Sequence, residues 1–509
     1  MLKDNVVWLS SLIVVLAISV FALFGGDLFS ESANSLLSMI ETNFSWLFLL
    51  AMFLFVIFCG YCAFTRLGNI KLGSDNDKPE HSMLAWLAML FCAGMGVGLV
   101  FWGVAEPISH YVSPAPGIEP GTPEAAEFSM RACFMHWGID PWAAYAVIGL
   151  GLAYFHYRKG RPLLISSLLF VSEKKENKKS VIKRIVDVFA VVVSVAGVAT
   201  SLGLGCLQIS AGLEQVFGVP NIAQTWVILV LVICIIYTLS SVVGINKGIK
   251  KLSSVNVLLC LLLGLACFIF GPTLLIMDTF TTGLGSYINY FIVDSLNAYP
   301  FSDATWLISW RVFYWAWWIA WSPFVGIFIA KISKGRTVRE FVLGVVIIPA
   351  LLSIIWFSVF GGLALDFSSG APFSVLENIA ATPEIALFAV VGNLPFGEIL
   401  CMLAIVVIII FFITSADSAT YVLGTLSSKG SSKPSVSKRI IWGIVLAVIA
   451  LALLLRGGIK ALQTLSIAAA LPFVLIMLIA CACIIRSFRL EIRKKEPNAL
   501  YEDCTTKPD

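Results

Sequence analysis

Apolar segments long enough to cross a lipid bilayer recur along the whole chain, and that constrains its fold more than any other feature. Twelve can be marked, at 7–25, 45–65, 83–104, 135–157, 186–210, 225–244, 254–276, 306–330, 340–364, 396–422, 440–455 and 464–485. A spanning helix needs about 20 mostly apolar residues. Of the 509 residues, 59% are hydrophobic and 13% are charged, whereas a soluble domain is about 45–50% apolar and about 25% charged. A soluble enzyme, a disordered chain and a nucleic-acid binder are excluded on these grounds. The expectation is an all-α integral membrane protein of twelve transmembrane helices. The first segment, with Lys3 before it, lacks an A-x-A cleavage site and precedes further spans, so it reads as an uncleaved helix.

The loops give an orientation. Lys and Arg concentrate on the cytoplasmic side of membrane proteins. With the N-terminus inside, 30 of the 34 Lys and Arg fall on inside segments. The outside loops hold Arg131, Arg456 and Lys460, and Arg311 lies within a span. A miscounted helix would scramble this alternation, so both termini are read as cytoplasmic and the chain as multi-pass in the plasma (inner) membrane. Outside loop 105–134 is rich in Pro, Gly and Glu; loop 277–305 has the apolar content of a helix lying along the outer surface. The 12 cysteines sit mostly in apolar runs, where Cys behaves as a small hydrophobe. The four histidines, His81, His110, His136 and His156, are scattered and form no H-x-x-x-H pair. No Walker loop, nucleophile elbow or catalytic metal signature is present.

Four constellations carry chemistry. Gly94-Met95-Gly96-Val97-Gly98 stands in the middle of the third segment. Glycines in a helix cost roughly 1 kcal/mol each relative to Ala. The run serves either close helix packing or a mid-membrane break whose freed backbone faces a substrate or ion. In the eighth segment, Trp315, Trp317, Trp318 and Trp321 fall within seven residues, and Trp317, Trp318 and Trp321 share a helical face. They lie about 11 residues inside the span's outer end, near mid-membrane at 1.5 Å per residue, too deep for an interfacial belt. A Trp-walled box suits a quaternary ammonium, which has charge but no hydrogen to donate and is held by cation–π attraction. Trp137, Trp142 and Tyr145 in the fourth segment read either as further walls or as an interfacial anchor. In the tenth, Thr414 and Ser415 follow a long apolar run and offer oxygen to a hard cation.

Three of these runs, Ala93–Pro107 (AGMGVGLVFWGVAEP), His136–Trp142 (HWGIDPW) and Phe313–Gly326 (FYWAWWIAWSPFVG), together with Phe411–Ser418 (FFITSADS), resemble the betaine/choline/carnitine transporter family. The resemblance extends over nearly the whole chain. It implies a LeuT-like fold, with two N-terminal helices before two inverted five-helix repeats. The chain then divides into 1–80, 81–280, 281–485 (opening with the surface helix) and a cytoplasmic tail, 486–509. The implied function is Na⁺-coupled symport of a compatible solute for osmoprotection, with Na⁺ as coupling ion and a homotrimeric assembly.

Residue by residue, the resemblance implies an aromatic box of Trp137, Trp142, Tyr145, Trp317, Trp318 and Trp321, with Gly94, Met95 and Gly96 at the substrate. It implies a first sodium site from the carbonyls of Cys92, Met95 and Phe411 and the hydroxyls of Thr414 and Ser415. Ser194 and Phe324 belong to a second sodium site, where Val198 replaces a hydroxyl residue. Choline carriers of the family have Asp where this chain has Gly98, so a zwitterion, glycine betaine foremost, is the expected substrate. Sodium-independent carnitine exchangers have Arg where this chain has Asn256. Arg311 stands where a small polar residue is expected, and snorkelling to the outer interface is the reading for it. Proton coupling through Glu106 or Asp417, or exchange of choline or carnitine, is the alternative.

Overall fold

The protein is described from a computed structural model that covers residues 5–94, 96–169, 176–243 and 246–495. Helices α1 (Val6–Phe24) and α2 (Gly26–Phe64) open the chain, followed by α3 (Met83–Gly94), α4 (Val97–Val112), α5 (Pro123–Trp137) and α6 (Ile139–Ala153). A single turn, α7 (Ser166–Leu169), precedes α8 (Glu176–Phe217), α9 (Ala223–Val243), α10 (Asn246–Phe270) and α11 (Thr273–Leu296). The rest comprises α12 (Phe313–Ile332), α13 (Val338–Gly370), the short α14 (Phe373–Ala381) and α15 (Ala386–Val391), α16 (Gly397–Leu426) and α17 (Val436–Lys495). The strand content among the described residues is one bridge, Lys71 to Thr337.

Among the described residues, nine helices are long and apolar enough to cross a membrane, or ten if the bent pair Phe373–Ala381 and Pro383–Val391 is one span. The count differs from twelve where helices break or merge. Segment 83–104 is cut into α3 and α4, of 12 and 16 residues. Segment 135–157 is shared by α5 and α6, of 15 residues each. Segments 440–455 and 464–485 run together as α17, 60 residues long, which kinks at Gly457 and Gly458. Hydropathy detects apolar length but not a break inside it. The bent pair α14–α15 was not foreseen. The expected tail at 486–509 begins as helix up to Lys495, and its remainder lies outside the described residues.

Burial separates the helices into a centre and a rim. Every residue from Phe313 to Ile327 in α12 is buried. Peripheral helices instead expose apolar stripes at helical spacing, such as Ile228, Leu231 and Ile235 on α9 and Leu258, Leu261 and Leu265 on α10. Apolar faces of this extent belong against lipid rather than water. The centre is held by close backbone approach. A Cβ added at Gly326 would lie 2.6 Å from the Ile148 side chain and 3.1 Å from the Gly149 nitrogen, so α6 and α12 meet backbone to backbone. That contact brings the aromatic residues of the fourth and eighth segments together.

Several of the basic segments are bonded to neighbouring segments. Arg158 donates to the Gly73 carbonyl at 2.7 Å and pairs with Glu491 at 2.9 Å. Leu72 and Arg336 share a backbone hydrogen bond of 2.8 Å. Lys331 reaches the Tyr421 hydroxyl at 3.2 Å, and Lys438 reaches Asn5 at 3.2 Å. Segments assigned to one side by charge alone are thus bonded to one another.

Arg311 corrects an expectation. It does not snorkel: it is 1% exposed, donates to the Asp294 carbonyl and lies 5.1 Å from the centre of the Trp306 ring. A π turn, Leu307–Val312, leads into α12 and carries Arg311 inward, where the end of α11 supplies the acceptor. Helix α11, foreseen as a surface helix, also braces the α5–α6 break, because the Ile139 N–H donates to the Tyr287 hydroxyl at 3.1 Å.

The α6–α12 contact gives a stability prediction. Gly326→Val overpacks the crossing and should cost about 1–3 kcal/mol. The detergent-solubilised protein should melt earlier, followed by intrinsic Trp fluorescence, whereas Gly285→Val, at a glycine with open space around it, should change little.

Candidate functional site

The glycine run of the third segment is a helix break. Helix α3 ends at Gly94 and α4 begins at Val97; between them Gly96 is extended, with φ −141° and ψ −161°. No side chain caps α4, so its first N–H groups and the positive end of its dipole face the break. Two kinds of residue close on it. Ser415 of α16 lies across from Gly96, its Oγ 3.8 Å from where a Cβ would stand. At Gly98 a Cβ would meet the Trp317 ring at 2.7 Å and the Trp137 ring at 3.2 Å. A side chain at Gly98 would press on both indoles. Cys92 and Gly94 lie on α3, while Met95 lies outside the described residues.

The aromatic residues form one buried wall. Trp137 meets Trp318 edge to face at 4.9 Å, and Trp318 stacks on Trp317 at 4.8 Å. Tyr145 meets Trp318 at 6.3 Å and Trp142 at 5.6 Å, both edge to face. Two indoles of the eighth segment, Trp318 and Trp321, are locked by their N–H groups. Trp318 donates to the His136 carbonyl at 2.9 Å, and Trp321 to the Gly197 carbonyl of α8 at 2.7 Å. Edge-to-face packing and pinned N–H groups fix the rings as rigid faces. Trp137 and Trp142 are 5% and 3% exposed, so they are walls and not an interfacial anchor.

The hydroxyl residues occupy two places. Thr414 donates to the Ile410 carbonyl at 2.8 Å, which leaves its lone pairs free, and its neighbour Ser415 faces the break. With the Phe411 carbonyl one turn earlier, these oxygens have the chemistry a hard cation takes. Ser194 donates to the Ala190 carbonyl at 2.7 Å and stands one turn before Gly197, which receives Trp321. Phe324 packs on Trp321 at 5.2 Å. The second group therefore gathers at the α8–α12 crossing, where Val198 is 2% exposed and adds no oxygen.

A further cluster went unrecognised in the sequence. The Glu106 carboxylate, 0% exposed, accepts four hydrogen bonds. His136 Nδ1 lies 2.6 Å and His110 Nε2 3.3 Å from Oε1. Trp137 Nε1 donates to Oε2 at 2.8 Å, and the Tyr314 hydroxyl donates to the same oxygen at 2.5 Å. Three helices, α4, α5 and α12, meet on this one group. The ligand atoms of Glu106, His110 and His136 all lie within 4.8 Å of one another, a spacing a metal ion could use. The hydrogen bonds argue for a different role. Trp306 Nε1 donates to His110 Nδ1 at 3.1 Å, so His110 carries its proton on Nε2, facing Glu106, and has no lone pair there for a metal. The histidines are far apart in sequence. The available signal was an acidic residue with His at i+4 in an apolar helix, since intramembrane charge is retained for function. Asp417, the other candidate relay, lies 3.5 Å from Arg439.

An aromatic wall packs at Gly98 of the broken helix and the Ser415 hydroxyl lies near Gly96, and comparison with known proteins makes the chain a transporter and not an enzyme. The chain belongs to the betaine/carnitine/choline transporter family, whose pattern it matches over residues 6–493. It is 44% identical over 494 residues, 95% of each chain, to the glycine betaine transporter OpuD of Bacillus subtilis (strain 168). A probable glycine betaine transporter of Desulfitobacterium hafniense (strain Y51) is 42% identical, over 96% of this chain and 98% of its own. An ectoine/hydroxyectoine transporter of Virgibacillus pantothenticus is also 42% identical, over 97% and 98%.

The Glu106 cluster predicts the behaviour of Tyr314. Tyr314→Phe removes a hydrogen bond to a buried carboxylate, worth about 1.5–3 kcal/mol. Thermal unfolding in detergent should show a clear loss of stability, whereas Tyr290→Phe, on a partly exposed face of α11, should show none.

Proposed function

We propose that the protein imports glycine betaine across the plasma membrane, coupled to Na⁺. One observation carries this reading: the break between α3 and α4 has the aromatic wall against Gly98 and the Ser415 hydroxyl against Gly96. A trimethylammonium group takes the ring faces. The substrate carboxylate takes the free N–H groups at the start of α4. Sodium takes the oxygens of Thr414, Ser415 and the Phe411 carbonyl, together with the carbonyls of Cys92 and Met95. The names of the relatives from Bacillus subtilis and Desulfitobacterium hafniense support betaine over ectoine.

Coupling follows from shared geometry. Sodium joins the broken helix to α16 and so orders the substrate site; by linkage, bound substrate raises sodium affinity by the same factor. We read the transport unit as twelve spans, with 83–104 and 135–157 each crossing once and α17 crossing twice, in two inverted repeats. The side to which Lys and Arg assign the basic segments is the cytoplasmic one, with both termini, and the resemblance supports a homotrimer.

Uptake of labelled glycine betaine into proteoliposomes, with a sodium gradient, a proton gradient or neither, tests the reading. Uptake should follow the sodium gradient and saturate; uptake driven by pH in sodium-free buffer would refute it. Thr414→Ala with Ser415→Ala should abolish sodium-driven uptake, whereas Ser194→Ala should act more mildly, because the second group is short of oxygen. Trp318→Leu keeps the wall apolar but removes a ring face, and should weaken betaine binding by roughly 5–30-fold, equivalent to about 1–2 kcal/mol. Unchanged affinity would remove Trp318 from the site.

A further inference from the structure

The Glu106 carboxylate is buried at 0% exposure, and the four groups that bond it are two imidazoles, an indole and a phenol. None of them brings a formal positive charge. His110 is held neutral because its Nδ1 receives the Trp306 N–H. His136 donates through Nδ1, and its Nε2 has no hydrogen-bond partner, so a second proton there would be bare. Among the described residues no Lys or Arg forms an ion pair with Glu106; the neighbouring Arg311 donates one N–H to the Asp294 carbonyl, lies over the Trp306 ring and leaves Nε and Nη2 without a hydrogen-bond partner. A carboxylate held away from water without a cation is costly unless something compensates it. Four convergent donors stabilise the ionised form without an ion pair to the carboxylate itself.

The carboxylate stands one ring behind the aromatic wall. Its Oε2 receives both Trp137 and Tyr314. Trp137 meets Trp318 at 4.9 Å and Trp317 at 6.2 Å, while Tyr314 stacks on Trp318 at 5.8 Å. An N–H or O–H that donates to an anion pushes electron density into its own ring, which strengthens the ring's attraction for a cation. We infer that Glu106 is a positioning and specificity-determining residue: it fixes Trp137 and Tyr314 in place and supplies, through them, the negative charge that makes the wall prefer a quaternary ammonium to an uncharged group of the same shape.

This rests on the proposed substrate class, so binding to the unmodified protein is measured first. The probes are glycine betaine and 3,3-dimethylbutanoate, which replaces the quaternary nitrogen by carbon and keeps the shape and the carboxylate. Their affinities are compared in detergent by competition against a labelled substrate, for the unmodified protein, Glu106→Gln and Glu106→Asp. Glu106→Gln should reduce the preference for betaine over its carbon analogue by roughly tenfold, the size of a charge interaction across about 10 Å at an effective dielectric near 20. Glu106→Asp keeps the charge and should keep that preference within about twofold, even where both affinities fall. An equal loss for both probes in Glu106→Gln would overturn the inference and leave a structural role alone. If Glu106→Gln does not fold, collapse of the preference in Glu106→Asp overturns it equally. Failure of the unmodified protein to bind betaine would instead refute the substrate reading, and this inference with it.

Discussion

Four hydrogen bonds converge on the buried Glu106 carboxylate, and the placement of the aromatic wall depends on them. His110 comes from α4 itself, His136 and Trp137 from the end of α5, and Tyr314 from α12. A carboxylate in an apolar interior tolerates no unfilled lone pair cheaply, so the three helices are held in one mutual orientation. That orientation sets Trp137 edge-on to Trp318 and lays both Trp137 and Trp317 against the backbone at Gly98. The Gly149–Gly326 approach does the same for the rest of the wall, carrying Trp142 and Tyr145 on α6 to the face of α12.

The break between α3 and α4 lies next to both this wall and the Ser415 hydroxyl of α16. A continuous helix would bond its own backbone groups internally and present none. Interrupted at mid-span, it frees carbonyls at the end of α3 and N–H groups at the start of α4, with opposite partial charges a few residues apart. A zwitterion and a cation are what such a break suits. Ser415 lies against Gly96 and Trp317 against Gly98, two residues apart along the backbone.

Much of this was legible in the sequence, for definite reasons. Apolar length located most of the helices, and several of the segments that Lys and Arg assign to one side are bonded to one another, through Arg158 and Lys438. The Trp-rich run and the Thr414–Ser415 pair stood out because polar and bulky aromatic groups are rare at that depth. What was not legible depends on three-dimensional closure. Periodicity could not choose between packing and breakage at Gly94–Gly98. Hydropathy gave no sign that α17 would run through two segments, or that α14 and α15 would fold back. Arg311 was misread because its acceptor, the Asp294 carbonyl, belongs to a helix 17 residues away in sequence. Glu106 and His136 are 30 residues apart, and only the folded chain joins them.

The central claim is that one cation orders the site for one zwitterion. Glycine betaine affinity of the purified protein, read by intrinsic Trp fluorescence at constant ionic strength with Na⁺ replaced stepwise by K⁺, tests it most directly. Affinity should rise with Na⁺, and apparent sodium affinity should rise with betaine by the same factor, as linkage demands. Betaine affinity that is identical in Na⁺ and K⁺ would contradict the account.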